Sequence, residues 1–332
     1  MSEQLLILML VVALALCYDF VNGFHDAANA IATSIASNAL QPTSAILLAM
    51  TFDFIGALSH TAVAYTIGKG VIDPTIITQG ILAAALIGAI GWNLVTWRFG
   101  IPSSSMHALI GGLIGAALVK SGFNWSILVG PSLRKIILAM VLAPLIAFVL
   151  AMVIIVIITW TLHVLHVRHR KASKRIKYLQ ILSAAWMSFS HGMNDAQNAM
   201  GIITISLLTY GAISTFHVPM SIRILCALSM GAGTLFGGWR IIRTITDELS
   251  GDEPMPIEGF SAQTSAGIVI FLLSLLGIPI STSHAISSCV MGTTAAKRIG
   301  LVNWRVGGHM VIAWIITIPA SALLAGLLSL IF

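Results

Sequence analysis

The sequence predicts an all-α polytopic membrane protein, with two inverted-topology repeats, broken helices and short re-entrant-like segments around a midplane site. Three observations lead to this fold class. The 332 residues are 58% hydrophobic and only 8% charged, against roughly 25% charged in soluble chains. Apolar runs that approach or exceed membrane-spanning length recur along the chain. Two polar motifs each occur twice, once in each half, as in membrane proteins built from internal repeats.

The first duplicated motif is acidic. Residues 23–30 read Gly-Phe-His-Asp-Ala-Ala-Asn-Ala, and residues 192–199 read Gly-Met-Asn-Asp-Ala-Gln-Asn-Ala, an offset of 169 residues. A helical turn places the carboxylate and the amide of Asp-x-x-Asn on one face. An intramembrane carboxylate needs a polar cavity or a partner, and carboxylate and amide oxygens suit a hard cation. Helix capping or pairing with arginine is the structural alternative. The motifs predict a cation site at Asp26, Asn29, Asp195 and Asn198.

The second duplicated motif is a proline followed by hydroxyl side chains. Residues 101–107 (Ile-Pro-Ser-Ser-Ser-Met-His) recur as residues 278–284 (Ile-Pro-Ile-Ser-Thr-Ser-His). Proline favours the first turn of a helix, where free N–H groups and hydroxyls form an anion site. Simple N-capping is the alternative. Met106 stands where the other half has Ser283, so the two clusters are not chemically equal. His107 and His284 align and are further candidates. The clusters predict an anion site at Ser104, Ser105, Ser281, Thr282 and Ser283.

The two halves are predicted to share one order of elements. Residues 1–165 form a first membrane repeat, residues 166–177 a basic cytoplasmic linker, and residues 178–332 a second membrane repeat. Each half is expected to begin with a span that is broken at its acidic motif, over residues 22–29 and 191–198. Further spans are predicted over residues 44–68, 75–97, 221–245 and 262–276. Each Pro-led cluster then opens a short apolar segment, over residues 108–119 and 285–296, and a long helix closes each half.

The position of the basic residues predicts the topology. The net charge is +6, and six of the seventeen basic residues lie together in the linker, at Arg168, Arg170, Lys171, Lys174, Arg175 and Lys177. Loops rich in lysine and arginine stay in the cytoplasm. This basic run is therefore interpreted as a topology signal, and we expect no nucleic-acid partner. An inverted repeat crosses the membrane an odd number of times, so both termini are expected outside. The first segment has no basic n-region and no cleavage site, which predicts a retained span.

The motif pairs resemble the paired signatures of the inorganic phosphate transporter (PiT) family, and the resemblance spans nearly the whole chain. It implies a secondary symporter that carries inorganic phosphate, driven by sodium in some members and by protons in others. No cofactor is implied beyond the co-transported cation. The resemblance further implies a homodimer among membrane lipids, in the plasma (inner) membrane of a prokaryote. Asp26, Asn29, Asp195 and Asn198 would form the cation and phosphate centre, with both aspartates binding sodium if sodium is the driving ion.

Electrostatics independently supports one part of this function, the binding of a cation together with an anion. The duplicated motifs contain no lysine or arginine, so an anion beside Asp26 and Asp195 is repelled unless cations or protons lie between them. Two rivals remain at this stage. A cation channel could use rings of aspartate. An intramembrane hydrolase could use Asp, His and Ser, although a duplicated set is unnecessary for a single nucleophile and base.

Overall fold

The computed structural model describes residues 3–167, 169–236, 239–249 and 255–332. These residues form twelve α-helices and no β-strand, namely α1 (Glu3–Ala36), α2 (Pro42–Ser59), α3 (Ala62–Lys69), α4 (Gln79–Phe99), α5 (Ser105–Lys120), α6 (Gly130–Val164), α7 (His169–Tyr210), α8 (Met220–Phe236), α9 (Trp239–Arg243), α10 (Pro256–Leu275), α11 (Thr282–Lys297) and α12 (Trp304–Ser329). Six helices in this part of the chain are long and apolar enough to cross a membrane, or seven if the bent pair α8 and α9 is one span. The prediction of an all-α polytopic membrane protein is confirmed.

The order of helices in the first half is repeated in the second. A long helix (α1, α7) is followed by a broken pair (α2 and α3, α8 and α9), a further helix (α4, α10), a short helix (α5, α11) and a closing helix (α6, α12). The chain turns from α4 towards α5 at Gly100 and from α10 towards α11 at Gly277, with φ angles of 68° and 67°. Glycine adopts this left-handed conformation without strain. Both short helices have 16 residues and include the short segments predicted after the Pro-led clusters, and both are almost entirely buried.

The two halves exchange packing partners. Helix α5 packs extensively on α12 of the other half, and α11 packs on α6. In the same way α1 packs on α8, while α7 packs on α2. Each short helix is therefore enclosed by both halves, which allows its polar first turn to remain at membrane depth.

Helices α1 and α7, which carry the acidic motifs, run antiparallel. The end of α1 meets the start of α7, where the Ser37 hydroxyl donates to Gln180 Oε1 at 2.8 Å and Lys177 Nζ donates to the Asn38 carbonyl at 3.0 Å. Further back along α1, Asp19 lies within electrostatic reach of His191 and Asp195, further forward along α7. The equivalent helices of the two halves thus point in opposite directions.

The predicted breaks at residues 22–29 and 191–198 are wrong, because α1 and α7 continue through both acidic motifs. The glycines of the two acidic motifs allow neighbouring helices to pack closely, and they do not break the helices that contain them. A Cβ at Gly23 would overlap the backbone of Met230, and one at Gly192 would overlap the backbone of Asp53. The polar side chains find their partners on other helices, so the backbone need not unwind.

The broken helices occur elsewhere. The predicted span over 44–68 is interrupted between α2 and α3, at His60 and Thr61. The predicted span over 221–245 bends by 67° between α8 and α9. Helix α7 begins at His169, so most of the predicted linker is helical. Arg168 and the side chains of Arg170, Lys171 and Lys174 lie outside the described residues.

Candidate functional site

The Asp26 carboxylate accepts hydrogen bonds from hydroxyl groups of both Pro-led clusters. Ser105 Oγ, at the start of α5, donates to Asp26 Oδ2 at 2.6 Å, and Ser283 Oγ, in the first turn of α11, donates to Asp26 Oδ1 at 2.8 Å. Asn29 Nδ2 donates to Ser283 Oγ at 2.8 Å and to Asp26 Oδ1 at 3.3 Å. His25 Nδ1 lies 2.9 Å from Asp26 Oδ1. The carboxylate and these partners are all buried, so one polar centre joins the acidic motif to both clusters.

Asp195 has some of the equivalent contacts in the second half. Thr282 Oγ1 donates to Asp195 Oδ2 at 3.2 Å, as Ser105 does to Asp26. Asn194 Nδ2 donates to Asp195 Oδ1 at 2.6 Å, from the position equivalent to His25. Asp26 and Asp195 lie within electrostatic reach of each other. The duplicated motifs therefore build two neighbouring acidic centres that share one polar interior.

The two centres differ at one hydroxyl. Ser283 donates to Asp26, whereas the equivalent residue in the first cluster is Met106, which is buried and has no hydroxyl to offer. Both carboxylates have an imidazole nearby, since His191 Nε2 lies 3.3 Å from Asp195 Oδ2, as His25 lies beside Asp26. The Asp26 carboxylate is thus bound by hydroxyls from two helices, and the Asp195 carboxylate by a hydroxyl from one.

Ser104 and Ser281 are the N-cap residues of α5 and α11. Each hydroxyl oxygen accepts the backbone N–H three residues on, from His107 and from His284, at 3.2 Å in both cases. A serine N-cap satisfies one of the free N–H groups of a first turn. The N-capping that was the alternative reading is therefore present at these two serines, while Ser105, Thr282 and Ser283 instead reach the carboxylates.

His107 and His284 face each other at the starts of the two short helices. Their ring centroids are 5.0 Å apart, and His284 also stacks on Trp314 at 4.0 Å. Both rings are buried, and none of their four nitrogens has a hydrogen-bond partner within the described residues. The pair lies where the two Pro-led clusters approach each other.

The asparagines of the acidic motifs have free polar atoms. Within the described part of the chain, Asn29 Oδ1 and both amide atoms of Asn198 have no hydrogen-bond partner, although both side chains are fully buried. Buried amides normally have partners. Free amide oxygens beside two carboxylates are suited to coordinate a cation, and a free amide N–H suits an anion.

Asp53 has a partner that sequence spacing did not reveal. Its Oδ1 lies 2.9 Å from His191 Nδ1, and Thr234 Oγ1 donates to its Oδ2 at 3.3 Å. His191 therefore lies between the carboxylates of Asp53 and Asp195. The sequence marks Asp53 as an intramembrane acid, but its partner is 138 residues away and no motif signals the pairing.

Each glycine turn before a Pro-led cluster is tied to the opposite half. Thr66 Oγ1 of α3 donates to the Gly277 carbonyl at 2.7 Å, and Thr244 Oγ1, just after α9, donates to the Gly100 carbonyl at 2.8 Å. These two bonds are equivalent under the repeat. They position both clusters, and no sequence motif predicted them.

Comparison with known proteins agrees with this architecture. Residues 22–325 match the model of the phosphate transporter family. A probable low-affinity inorganic phosphate transporter of Rhizobium meliloti (strain 1021) is 46% identical over 320 residues, which cover 95% of this chain and 93% of that protein. A protein described in the same words from Bacillus subtilis (strain 168) is 42% identical, with coverage of 98% and 97%. A solved structure of a sodium-dependent phosphate transporter matches with a TM-score of 0.83 and 25% identity, over 98% of each chain.

These matches exclude the hydrolase reading, because the family and the relatives are transporters and not enzymes. The chain therefore belongs to the phosphate transporter family.

Proposed function

We propose that the protein imports inorganic phosphate by symport with a cation, either sodium or a proton, and that phosphate binds between the acidic motifs and the starts of α5 and α11. One observation carries the proposal: the hydroxyls of Ser105 and Ser283, from opposite halves, both donate to Asp26. The donors suited to a phosphate and the acceptors suited to a cation are thus in direct contact. The residues assigned to phosphate are Ser104, Ser105, Ser281, Thr282, Ser283, Asn29 and Asn198, with His107 and His284 as further candidates.

The contacts suggest how the two ligands are coupled. In this structure the hydroxyls of Ser105, Ser283 and Thr282 donate to carboxylates. A sodium ion or a proton that binds a carboxylate takes the lone pairs that these hydroxyls use. The released hydroxyls can then donate to phosphate oxygens beside the N–H groups of the first helical turns. Cation binding therefore prepares the anion site.

Electrostatics also favours binding of the cation before phosphate. Two like charges about 7 Å apart repel by roughly 2 kcal/mol at an effective dielectric constant of 20, and phosphate would meet both Asp26 and Asp195. A proton on each carboxylate removes this repulsion, and a sodium ion beside each carboxylate also attracts the phosphate. Asp26 and Asn29 would bind one coupling cation, and Asp195 and Asn198 the other.

The antiparallel arrangement of α1 and α7 supports an inverted-topology repeat. Lys177, the last basic residue of the linker, contacts the turn between α1 and α2, so this turn is proposed to lie in the cytoplasm with the linker. Both termini would then be outside. A homodimer in the plasma (inner) membrane of a prokaryote, in contact with lipid, is proposed from the family resemblance and the bacterial relatives.

Uptake into proteoliposomes tests this function. Vesicles that contain the purified protein should accumulate labelled inorganic phosphate under an inward sodium gradient or an inward proton gradient, applied separately at fixed membrane potential. Saturable uptake that needs one gradient identifies the coupling ion. Ion flux that neither saturates nor depends on phosphate would contradict symport and support a channel.

A further inference from the structure

Asp19 is a buried acid that the phosphate centre does not use. Its side chain is fully buried in α1, and neither carboxylate oxygen has a hydrogen-bond partner among the described residues. The thiol of Cys226 lies beside it and is only a weak donor. A carboxylate within a membrane is costly unless a cation or a polar partner compensates its charge, so Asp19 requires one whenever it is ionised.

The residue positions along the two helices place two further residues with free amide atoms near Asp19. Asn22 is one turn further along α1, fully buried, and both of its amide atoms lack a partner in the described part of the chain. Ser37 contacts Gln180, Asp19 lies 18 residues before Ser37, and Asn198 lies 18 residues after Gln180. Both are therefore about 27 Å from that contact along antiparallel helices, which places Asn198 at the level of Asp19.

The groups around Asp19 carry charges of both signs. Asp195 and His191 of α7 lie within its electrostatic reach, with the uncharged side chains of Tyr18 on α1 and Cys226 on α8. His191 already lies between the carboxylates of Asp53 and Asp195. Among the described residues no lysine or arginine forms an ion pair with Asp19. The described part of the protein thus provides an acid and several oxygen ligands here without a lysine or arginine, and its one nearby imidazole is already held by two other carboxylates.

We propose that Asp19, Asn22 and Asn198 form a further binding site for a hard monovalent cation of the sodium class, in addition to the cations at Asp26 and Asp195. The amide oxygen of Asn198 is then shared between this cation and the one at Asp195. Carboxylate and amide oxygens are the ligands that hard cations prefer. Coordination by a metal ion uses the free oxygens of all three side chains at once. A proton on Asp19 would give one O–H donor and so could serve only one of the two amide oxygens.

The position of this site deepens the proposed function, on which this step rests. Asp19 is seven residues before Asp26, or about 10 Å along α1, towards the N-terminus. With the N-terminus outside, the site lies between the exterior and the phosphate centre. An imported cation would meet Asp19 before it meets Asp26.

The test measures sodium binding without transport. The unfolding temperature of the purified protein should rise with sodium chloride, relative to choline chloride at the same pH and ionic strength, because a ligand that binds the folded state stabilises it. Asp19→Asn removes the charge with little change in shape, and Asp19→Ser introduces the residue that the second half has at the equivalent position, Ser188. Both changes should raise the sodium concentration for half the stabilisation at least tenfold. Asn22→Ala should raise it several-fold and leaves the acid in place.

The matched control is Ser188→Ala, which removes a buried hydroxyl that also has no partner within the described residues. It should leave the sodium response unchanged. In proteoliposomes in which sodium drives uptake, Asp19→Asn should lower the Hill coefficient for sodium by about one. Either of two results would overturn the site: an unchanged sodium response in the Asp19 and Asn22 variants, or a wild-type protein stabilised by low pH and not by sodium. Absence of phosphate uptake by wild-type vesicles would instead contradict the proposed function, and the stabilisation assay would still decide on the site.

Discussion

Ser283 of the second half and Asp26 of the first are joined by a hydrogen bond of 2.8 Å, although 257 residues separate them in the chain. Asn29 donates to the same hydroxyl at 2.8 Å. One hydroxyl of α11 thus contacts both polar residues of the Asp-x-x-Asn element in α1. The proposed phosphate centre is therefore built from both halves, and each half contributes groups that the other lacks.

Substitution of either motif aspartate should nearly abolish coupled uptake. Asp26→Asn and Asp195→Asn each remove the charge that holds a driving cation beside the anion. We expect at least a tenfold fall in phosphate uptake by proteoliposomes under the driving gradient. Gel filtration of each purified variant checks that it remains folded. Near-normal uptake by one variant would mean that this aspartate has only a structural role.

Loss of a cluster hydroxyl should weaken phosphate binding. Ser105→Ala and Thr282→Ala each remove one donor, and a hydrogen bond to a charged group contributes about 1.5–3 kcal/mol. This corresponds to a rise of about 10- to 100-fold in the phosphate concentration for half-maximal uptake. The concentration of the driving cation for half-maximal uptake should change much less. Equal shifts for phosphate and cation would contradict the division between anion and cation ligands.

The difference between Met106 and Ser283 gives a sharper test of the Pro-led clusters. Met106→Ser restores a hydroxyl near the less hydrogen-bonded Asp195, so phosphate uptake should persist. Ser283→Met removes the contacts with Asp26 and Asn29 and adds bulk at a fully buried position, so uptake should fall by at least tenfold. If both exchanges leave uptake unchanged, the clusters are helix caps and not the anion site.

Both chain termini should be accessible from outside the cell. In a variant with Cys17, Cys226 and Cys289 replaced by serine, a single cysteine at Ser2 or Phe332 should react with an impermeant maleimide in intact cells. A single cysteine at Lys177 should react only after permeabilisation. Labelling of the termini only after permeabilisation would contradict the proposed topology.

The sequence was sufficient for the fold class and for several of the polar residues that contact each other. Hydropathy indicates the spans, and the duplicated motifs select Asp26, Asp195, Ser105 and Thr282, which do meet in the structure. The continuity of α1 and α7 through the acidic motifs was not predictable. A polar stretch in an apolar helix suggests a break unless the partners of its side chains are known. Those partners lie 79 and 257 residues from Asp26. The link between Asp53 and His191 was hidden for the same reason.

The hydrogen bonds from Thr66 to Gly277 and from Thr244 to Gly100 bear on whether the two halves could work as separate polypeptides. Each half fixes the turn that precedes the other half's cluster, so a fragment of residues 1–165 alone would leave the turn at Gly100 without its threonine. Neither fragment expressed singly is expected to transport phosphate. The exchanged packing should nevertheless let the two fragments associate when they are made in the same cell, because the contacts that join them do not depend on the peptide bonds of the linker.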